Sequence, residues 1–442
     1  MDSQTLSDPL GSTVPSAVLV GIVRSRSSRR EAEEGIQELS QLASAAGMVP
    51  MATFLQEKEV PDAAFLIGRG KAQEIAVYLQ SHGNSSVIFD EDLAPHQQRN
   101  LEDLWGCRVI DRTILVLDIF AQRARTREGK LQVELAQLSY LLPRLTGKGT
   151  LLSRLGGGIG TRGPGETKLE MDRRRIRHRI ALLRRELEKV RLRRTIQREP
   201  RRKIPAAMVA IVGYTNAGKS TLFNALCRSD SLVSPKMFST LDPTVRGLDL
   251  PDGRRLLFSD TVGFLRKLPH HLVAAFHATL EEVVQADLLL HVIDSTAENL
   301  PEQIQAVEQV LDDIGCQGKN KIYVFNKIDL LEAPVLERLG PRYKGFSLTQ
   351  EISALQKTGL SALIQAVAEQ LQDRRRRILV QLPYSESALR SMIHARGQVI
   401  RESFQEGGTI IEVVIDSGFI SRLAAYQISD RQSEPCSSGT AH

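Results

Sequence analysis

The stretch Met208-Val-Ala-Ile-Val-Gly213-Tyr-Thr-Asn-Ala-Gly-Lys-Ser220 decides the fold of the central part of this 442-residue chain. An apolar run leads into a glycine loop of the form G-x-x-x-x-G-K-S, and the helix-compatible segment Thr221–Leu226 follows it. A strand, a glycine-rich loop and a helix in this order predict a phosphate-binding loop, because backbone N–H groups and the positive end of the helix then face the phosphates. We expect Lys219 to contact the β- and γ-phosphates and the Ser220 hydroxyl to bind Mg²⁺.

The segment Asn326-Lys-Ile-Asp329 predicts which base is bound. It follows the strand-like run Ile322–Phe325. The carboxylate of Asp329 can accept hydrogen bonds from the N1–H and the exocyclic amine of guanine, whereas adenine lacks this donor pair and leaves the carboxylate unpaired. A backbone N–H of Ser353-Ala354, which follows another strand-like run, can donate to the guanine O6. The order of these loops therefore predicts GTP and GDP as ligands.

The loop Asp260-Thr-Val-Gly263 follows the strand-like run Leu256–Ser259. We expect the Asp260 carboxylate to hold Mg²⁺ through a water molecule and the Gly263 N–H to contact the γ-phosphate. Loops of this kind are ordered by the γ-phosphate and its Mg²⁺ and are released on hydrolysis. The sequence therefore predicts a structure that changes with the bound nucleotide.

The stretch Phe238–Asp242 lies between the first helix and the second strand of the same region. Thr240 is expected to supply a second hydroxyl to Mg²⁺, and Thr244 is the alternative because both threonines occupy one loop-like stretch. Carboxylates at other strand ends, such as that of Asp294, are expected to cap helices rather than to bind metal.

These loops together predict one nucleotide site. The residues expected to act in hydrolysis are Lys219, Thr240 and Gly263. The predicted Mg²⁺ ligands are Ser220 and Thr240, with Asp260 acting through water. The full set expected to bind GTP is Gly213, Tyr214, Thr215, Asn216, Ala217, Gly218, Lys219, Ser220, Phe238, Ser239, Thr240, Leu241, Asp242, Asp260, Thr261, Val262, Gly263, Asn326, Lys327, Ile328, Asp329, Ser353, Ala354 and Leu355.

The position directly after Gly263 is Phe264, where many GTPases carry a glutamine that orients the attacking water. A phenylalanine ring cannot hydrogen-bond this water. We expect slow turnover by the isolated protein and completion of the site by a partner, while replacement of the glutamine by another residue of the chain is the alternative. The amide of Asn216, beside the phosphates, is either a ligand for a monovalent cation such as K⁺ or a partner for ordinary loop hydrogen bonds.

Residues 18–127 predict a small parallel α/β domain. Short apolar runs alternate with amphipathic stretches such as Arg29–Ala45 and Lys71–Ser81, and the runs are interpreted as strands. These runs are Val18–Val23, Met48–Phe54, Ala63–Ile67, Ser86–Phe89 and Arg108–Ile110. Residues 1–17 are rich in Ser, Pro and Gly and predict a disordered tail.

Residues 128–203 predict an antiparallel helical hairpin. Two narrow stripes of apolar residues repeat at spacings of four and three, as expected when two helices pair along a seam. The stripes are Leu131, Leu135, Leu138 and Leu142, and Ile176, Ile180, Leu183, Leu187 and Val190. The glycine-rich stretch Gly147–Gly165 between them is interpreted as the hairpin tip, and two surface helices that pack elsewhere are the alternative.

The second half of the hairpin is strongly basic. The segment Asp172–Lys203 carries 15 Lys or Arg residues against four acidic residues, a net charge of +11, whereas the whole chain carries +6. Arginines clustered beside a glycine-rich tip favour salt-sensitive binding to nucleic-acid phosphates over a merely solvated helix face. The tip has no aromatic residue, which favours recognition of RNA shape and phosphates over reading of bases. The candidate RNA contacts are Arg154, Arg162, Lys168, Arg173, Arg174 and Arg175.

Strands and helices alternate again over residues 204–376, which predicts a doubly wound P-loop GTPase domain, called the central domain below. Pro200–Pro205 is interpreted as the linker that precedes it. Residues 377–428 predict a small α+β C-terminal domain, with a helix at Ser387–Ala395 and two strands joined at Glu406-Gly-Gly408. Residues 429–442 predict a second disordered tail, so the predicted fold is a multidomain α/β protein.

The composition is that of a soluble globular protein, with 42% hydrophobic and 25% charged residues. The four cysteines, Cys107, Cys227, Cys316 and Cys436, are too far apart in sequence for a metal clip, and reduced thiols in the cytosol are expected. The apolar stretch Ala17–Val23 is too short to span a bilayer. These features predict a cytoplasmic protein and leave peripheral association with a membrane open.

Several of these stretches together resemble the HflX family of GTPases. The resemblance is carried by the phosphate-loop phrase Gly213–Asn224, by Thr240-Leu-Asp-Pro-Thr244, by Asp260-Thr-Val-Gly-Phe264 and by the run Gly156-Gly-Gly-Ile-Gly-Thr-Arg-Gly-Pro-Gly-Glu-Thr-Lys168. It extends over residues 18–426, and the glycine-rich run joined to such a GTPase domain is its specific part.

The resemblance implies GTP hydrolysis, binding to the large (50S) ribosomal subunit and its rRNA and, in some members, splitting of stalled or idle ribosomes under stress. It also implies an N-terminal region that faces ribosomal RNA, a monomer on the ribosome and, in some members, use of ATP as well. The residues alone leave two other classes open. One is a regulatory module whose affinity for RNA or protein is set by nucleotide, and the other is a signalling switch that uses no RNA.

Overall fold

A computed structural model describes most of the chain. The described residues are 15–25, 29–83, 85–145, 164–202, 206–227, 237–238, 240, 244–250, 254–266, 277–332, 346, 348–371 and 375–428. Outside them lie most of the two predicted tails, most of the predicted hairpin tip with Arg154 and Arg162, and the site residues Ser239, Leu241 and Asp242.

The N-terminal domain is a parallel sheet covered by helices on both faces. Its strands are β1 (Ser16–Val23), β2 (Val49–Glu57), β3 (Ser85–Phe89) and β4 (Val109–Asp111), and its helices are α1 (Arg29–Ala45), α2 (Arg69–His82), α3 (Pro95–Trp105) and α4 (Arg112–Arg123). The strand order is β2-β1-β3-β4, with parallel neighbours. Helices α1 and α4 pack on one face, and α2 and α3 pack on the other. A sheet buried on both faces explains why β1 reads as a continuous apolar run.

Two details of this domain differ from the sequence predictions. Strand β1 begins at Ser16, inside the predicted tail. The predicted strand at Ala63–Ile67 is wrong, because this segment is a loop: the Asp62 carboxylate accepts backbone hydrogen bonds from Ala64 and Phe65 at 2.8 and 3.1 Å. Asp62 and Leu66 also exchange backbone hydrogen bonds, so the chain turns back on itself. The apolar residues of the run reflect burial against the α2 face rather than a strand.

The hairpin consists of helices α5 (Arg127–Leu141) and α6 (Pro164–Arg202). Arg179 on α6 donates two hydrogen bonds to Glu134 on α5, at 2.7 and 2.8 Å. Nearer the start of α5, Arg127 lies 3.6 Å from Glu186. As residue numbers increase along α5, the numbers of their partners on α6 decrease. The two helices are therefore antiparallel, as predicted.

The ends of α6 differ from the prediction. The helix begins at Pro164, a residue type suited to the first helical position because it needs no hydrogen-bond partner there. It continues through Pro200 to Arg202, so the predicted linker Pro200–Pro205 starts too early. Proline lacks the backbone N–H that a helix interior uses, so the helix continues past Pro200 with one backbone hydrogen bond fewer.

The central domain is a doubly wound sheet, as predicted. Its strands are β5 (Ala207–Gly213), β6 (Thr244–Asp249), β7 (Arg255–Asp260), β8 (Leu288–Asp294), β9 (Lys321–Asn326) and β10 (Thr349–Glu351), and its helices are α7 (Lys219–Cys227), α8 (His277–Gln285), α9 (Leu300–Asp313) and α10 (Leu360–Gln370). The strand order is β10-β9-β8-β5-β7-β6. The edge strand β6 runs antiparallel to β7, whereas the other neighbours are parallel. The carboxyl ends of the parallel strands therefore meet at one edge of the sheet, where ligands bind in folds of this kind.

The C-terminal domain is the predicted small α+β unit. It contains β11 (Arg375–Leu382), α11 (Ser387–Arg396), β12 (Gln398–Gln405), β13 (Gly408–Asp416) and α12 (Ser417–Leu423). The antiparallel order is β11-β13-β12. Gly408 has φ +138°, and a Cβ there would lie 2.2 Å from the Leu382 carbonyl oxygen, so the β12–β13 turn needs glycine.

The N-terminal and central domains share one hydrophobic cluster. It joins residues of α1, α4 and α5 to residues beside the predicted nucleotide site. The rings of Phe120 on α4 and Phe238 lie 4.6 Å apart in an edge-to-face arrangement. Within the part of the chain that the structure describes, none of the helices is long and apolar enough to cross a membrane.

Candidate nucleotide-binding site

The predicted phosphate loop connects β5 to α7 at the carboxyl edge of the central sheet. Gly213 and Gly218 both have positive φ, +150° and +92°. A Cβ on Gly213 would lie 2.2 Å from the Val292 carbonyl oxygen, and a Cβ on Gly218 would lie 2.2 Å from Nδ2 of Asn326. The loop can therefore curl against β8 and β9 only because glycine occupies these two positions.

Lys219 is buried at the start of α7, and its Nζ donates a hydrogen bond to the Tyr214 carbonyl oxygen at 2.6 Å. Burial lowers the pKa of this ammonium to about 8, against the opposing effect of Asp260. Gly263 lies directly beside it, because a Cβ there would be 3.1 Å from Nζ and 2.8 Å from Cγ2 of Thr215. The structure thus brings together the lysine and the glycine that the sequence assigns to the γ-phosphate.

Three predicted Mg²⁺ residues converge at the same edge. The hydroxyls of Ser220 and Thr240 lie 2.8 Å apart, and each donates to Oδ2 of Asp260 at 2.7 Å. The second carboxylate oxygen of Asp260, Oδ1, is buried without a hydrogen-bond partner among the described residues. Burial raises the pKa of this carboxyl, although both hydroxyls lower it.

These oxygen atoms fit Mg²⁺, which prefers oxygen ligands and keeps several waters. The orphaned Oδ1 of Asp260 is the kind of buried acceptor that a bound metal–water shell would satisfy. The alternative ligand Thr244 lies on β6, in register with Asp260 across the β6–β7 ladder. The structure thus gives Thr240 the hydroxyl contacts with Ser220 and Asp260.

Asn326 joins the phosphate loop to the predicted base loop. Its Nδ2 donates to the Ala217 carbonyl oxygen at 2.8 Å, and its Oδ1 accepts from the Ala354 N–H at 2.9 Å. Ser353 is buried and Leu355 is 76% exposed, so the loop turns from the core to solvent within three residues. A side chain bonded to both loops fixes the predicted base loop relative to the phosphate loop.

The neighbouring carboxylates have separate roles. Asp329 lies in a short 3₁₀ turn that follows Lys327, whose φ is +66°. Nζ of Lys327 pairs with Asp294 at 2.5 Å. The prediction that Asp294 caps a helix is wrong, because α9 begins at Leu300 and Asp294 instead accepts hydrogen bonds from Thr296 in the intervening turn. The loop after β8 is long enough to separate the carboxylate from the helix.

Phe264 points into the shared hydrophobic cluster and is 2% exposed. Its N–H donates to the Gly213 carbonyl oxygen at 3.1 Å, and its carbonyl oxygen accepts from the Thr215 N–H at 2.8 Å. The segment after Gly263 therefore pairs with the phosphate loop like a short extension of the sheet.

The contribution of α1 to the site was not predicted from the sequence. The cavity between α1 and the phosphate loop, about 330 Å³ in volume, is lined on one side by Glu34 and Glu38 and on the other by Tyr214, Asn216 and Arg266. These acidic residues lie outside the apolar face of the amphipathic helix α1. The local sequence therefore does not distinguish them from charges that face solvent.

The candidate RNA contacts lie away from this site, on the hairpin. Arg174 and Arg175 are exposed on α6, and Arg173 is half-buried. Arg175 lies 3.8 Å from Asp172, one turn earlier on the same helix. Lys168 falls within α6, but its side chain is outside the described residues, as are Arg154 and Arg162.

Three family models match consecutive parts of the chain. Residues 33–121 match one described as GTP-binding GTPase N-terminal, residues 123–201 match GTP-binding GTPase Middle Region, and residues 208–327 match 50S ribosome-binding GTPase.

Named relatives match over most of the chain. The protein called GTPase HflX in Caldanaerobacter subterraneus subsp. tengcongensis is 48% identical over 413 residues, which cover 93% of this chain and 94% of the relative. GTPase HflX of Escherichia coli K12 is 45% identical over 377 residues, covering 85% and 88%. Among solved structures, a GTP-binding protein from Sulfolobus solfataricus in complex with GDP aligns with 80% of this chain and 98% of its own, at 29% identity and a TM-score of 0.42.

Proposed function

The chain belongs to the HflX family of GTPases, and on this premise we propose that it couples GTP hydrolysis to binding of the large ribosomal subunit. It binds and hydrolyses GTP. Its cellular role is the splitting or rescue of ribosomes under stress, and it acts on the ribosome as a monomer in the cytoplasm.

One observation carries the ribosome proposal: the basic helix α6. The exposed Arg174 and Arg175 lie near its N-terminal end, and the segment Asp172–Lys203 carries a net charge of +11. Such a charge supports salt-dependent binding to rRNA phosphates. The description of the family model that matches residues 208–327, a 50S ribosome-binding GTPase, supports the same partner.

The proposed roles at the nucleotide follow from the geometry. Lys219 and the Gly263 N–H contact the γ-phosphate, where they stabilise the charge that develops during its transfer. Ser220 and Thr240 ligate Mg²⁺, and Asp260 holds it through water. When bound, Mg²⁺ supplies charge neutralisation at the phosphates.

The base and the attacking water need further groups. Asp329 accepts hydrogen bonds from the guanine N1–H and amine. The Ala354 N–H, which donates to Oδ1 of Asn326 in the structure, is shared with the guanine O6 when the base binds. Because Phe264 is buried, the isolated chain holds no water-positioning side chain at that position, and large subunits accelerate turnover. K⁺ bound beside Asn216 is a second proposed source of charge, and faster hydrolysis in K⁺ than in Na⁺ is its test.

The deciding experiment measures GTP turnover with and without purified large subunits. We expect slow turnover alone and stimulation by large subunits that falls as salt rises. The variant Arg173→Ala/Arg174→Ala/Arg175→Ala should lose the stimulation, whereas Arg184→Ala/Arg185→Ala, which removes exposed arginines elsewhere on α6, should retain most of it. Rapid turnover without a partner, or equal loss in both variants, contradicts the proposal.

Splitting is tested separately. Light scattering of intact ribosomes should fall when the protein and GTP are added, and the fall should persist with a non-hydrolysable analogue if binding alone separates the subunits. Co-sedimentation without separation would instead favour a regulatory binding module. Repeating the assay with ATP determines whether this chain also accepts adenine nucleotides.

A further inference from the structure

Arg266 attaches the segment that follows Gly263 to the N-terminal domain. Its Nη1 lies 3.1 Å from Oε2 of Glu34, and its Nη2 lies 2.9 Å from Oε1 of Glu31, both on α1. The Arg266 side chain is only 18% exposed, so water screens its pair with Glu34 less than it screens a surface pair. Arg266, three positions after Gly263, thus connects the nucleotide site to α1 of the N-terminal domain.

Tyr214 makes a second connection between the same two parts. Its hydroxyl donates to Glu38 on α1 and accepts the backbone N–H of Arg266 at 3.0 Å. Glu38 is held in turn by Arg112, whose other nitrogen donates to Asp90 at 2.6 Å. Burial raises the pKa of Tyr214 well above its usual value, so the hydroxyl keeps its proton and remains a donor. The chain of contacts runs from the carboxyl edge of the N-terminal sheet to the nucleotide site.

The backbone restricts the same segment. Phe264 exchanges hydrogen bonds with Gly213 and Thr215 of the phosphate loop, at 3.1 and 2.8 Å. Together with the bond from the Arg266 N–H to the Tyr214 hydroxyl, three hydrogen bonds hold residues 264–266 against the phosphate loop, and Tyr214 lies between the two residues that Phe264 contacts. Gly263, the first residue before this connection, packs so closely on Thr215 that a Cβ would not fit.

We propose that Tyr214 is a positioning residue, whose hydroxyl, oriented by Glu38 and Arg112, sets the position of Gly263 relative to the γ-phosphate. This inference rests on the proposed contact between the Gly263 N–H and the γ-phosphate. Because the orienting groups belong to the N-terminal domain, the affinity for the γ-phosphate depends on that domain, and by linkage the bound nucleotide affects the contact between the domains.

The test compares dissociation constants for GDP and for a non-hydrolysable GTP analogue on the full chain without ribosomes. GDP lacks the γ-phosphate, so the ratio of the two constants reports on Gly263 and cancels losses common to both nucleotides. Tyr214→Phe removes only the hydroxyl, and we expect it to weaken the analogue relative to GDP by about three- to tenfold, as for one lost buried hydrogen bond. Glu38→Gln should shift the ratio in the same direction. The double variant should resemble Tyr214→Phe alone, because both act through one chain of contacts.

Tyr140→Phe is the matched control. It removes another buried tyrosine–carboxylate hydrogen bond, the one to Asp111, whose other hydrogen-bond partners are Leu93, Ile114 and Arg144 rather than residues of the phosphate loop. The ratio should stay at the wild-type value in this variant. An unchanged ratio in Tyr214→Phe, a shift in favour of the analogue, or an equal shift in Tyr140→Phe would overturn the inference.

A further variant separates this inference from the proposed role of Gly263. Gly263→Ala places a methyl group against Thr215 and should weaken the analogue more than Tyr214→Phe does. If Gly263→Ala leaves the ratio unchanged, the proposed γ-phosphate contact itself fails. If Gly263→Ala shifts the ratio and Tyr214→Phe does not, only the positioning by Tyr214 fails. Neither outcome depends on ribosome binding.

Discussion

The two parallel sheets of this protein use their carboxyl edges in opposite ways. At the edge of the central sheet, the hydroxyls of Ser220 and Thr240 and the carboxylate of Asp260 converge, and Oδ1 of Asp260 is buried without a hydrogen-bond partner among the described residues. At the edge of the N-terminal sheet, the carboxylates of Asp90 and Asp111 are paired inside the protein. Asp90 binds Arg112, and Asp111 accepts from Tyr140 and Arg144.

Folds of this class place ligands outside the carboxyl ends of their strands, so both edges are places where a ligand is expected. The difference lies in the side chains. The central sheet ends in glycines and small polar residues, which leave backbone and oxygen atoms to a ligand, whereas Asp90 and Asp111 at the end of the N-terminal sheet are bound by side chains of the same domain. Similar folds therefore carry different functions because the functional groups, not the strands, determine the site.

Lys219→Ala removes the ammonium from the central edge. We expect GTP turnover, measured with saturating large subunits, to fall by roughly 100- to 1,000-fold, the effect of removing one charge-stabilising group from a transition state. Stability to urea should not fall, because Lys219 donates to a backbone carbonyl and its replacement also removes the cost of burying a charge. Turnover within tenfold of the wild type would contradict the role given to this edge.

Asp111→Ala removes the central carboxylate of the N-terminal edge. It leaves Arg144 without its ion pair and removes the hydrogen bond to the Ile114 N–H at the start of α4. We expect the free energy of unfolding to fall by about 3 kcal/mol in urea titrations, with GDP affinity unchanged. Asp118→Ala on α4, which removes a partly exposed pair with Arg108, should cost less than about 1 kcal/mol. Equal losses of unfolding free energy in the two variants would show that the contacts of Asp111 with Tyr140 and Arg144 do not stabilise this edge.

Asp329→Asn changes what the central edge recognises without changing its shape. The variant loses a charged acceptor for two guanine donors, so GDP affinity should fall by about 100-fold. Xanthosine diphosphate carries a carbonyl oxygen where guanine has its amine, so the new amide should bind it better than the wild type does. Competition binding with both nucleotides measures the change, and an unaltered preference for guanine would refute the assignment.

Glu308→Gln tests an internally paired cluster of the central domain, in which Glu308 contacts His291 and Lys321. Burial alone raises the pKa of Glu308, but hydrogen bonds from His291 and Lys321 lower it to about 2. A carboxyl whose pKa is below its unfolded value of 4.5 stabilises the fold above pH 4.5 and loses this contribution as the pH falls towards 2. At pH 7 the free energy of unfolding of the wild type should exceed that of the variant by about 1 kcal/mol. The difference is this small because Glu308 is partly exposed and solvent screens its ion pairs.

The difference between wild type and Glu308→Gln should shrink in urea titrations as the pH is lowered below 4.5. A difference that stays constant with pH would show that the ion pairs do not carry it. Such a result would mean that internally paired carboxylates stabilise the N-terminal domain but not the central domain.

Local sequence was sufficient for features with a local cause. The strands β5, β8 and β9 are buried on both faces, so each reads as an apolar run that ends at a polar or glycine loop. The phosphate loop follows from glycines whose φ values no other residue adopts easily. In contrast, β6 is an edge strand with exposed and half-buried residues, and no strand was predicted there.

Features with a distant cause could not be predicted. Glu38 and Tyr214 are 176 positions apart, and their hydrogen bond depends on how two domains pack. The run at Ala63–Ile67 was predicted as a strand because apolar composition reports burial, while the hydrogen bonds of Asp62 that bend the chain leave only a weak signal in the sequence. The ion pairs of Arg266 with α1 could not be predicted either, because in the sequence each partner alone resembles a surface charge.

The length of α6 has a mechanical consequence. Its 39 residues, Pro164–Arg202, make a rod about 58 Å long at 1.5 Å per residue. The rod ends just before β5, the strand that leads into the phosphate loop. A tilt of about 10° at that end would sweep the opposite end through an arc of about 10 Å, given this length. A tilt of that size at the β5 end of α6 would therefore move the far end of the rod by about the diameter of a helix.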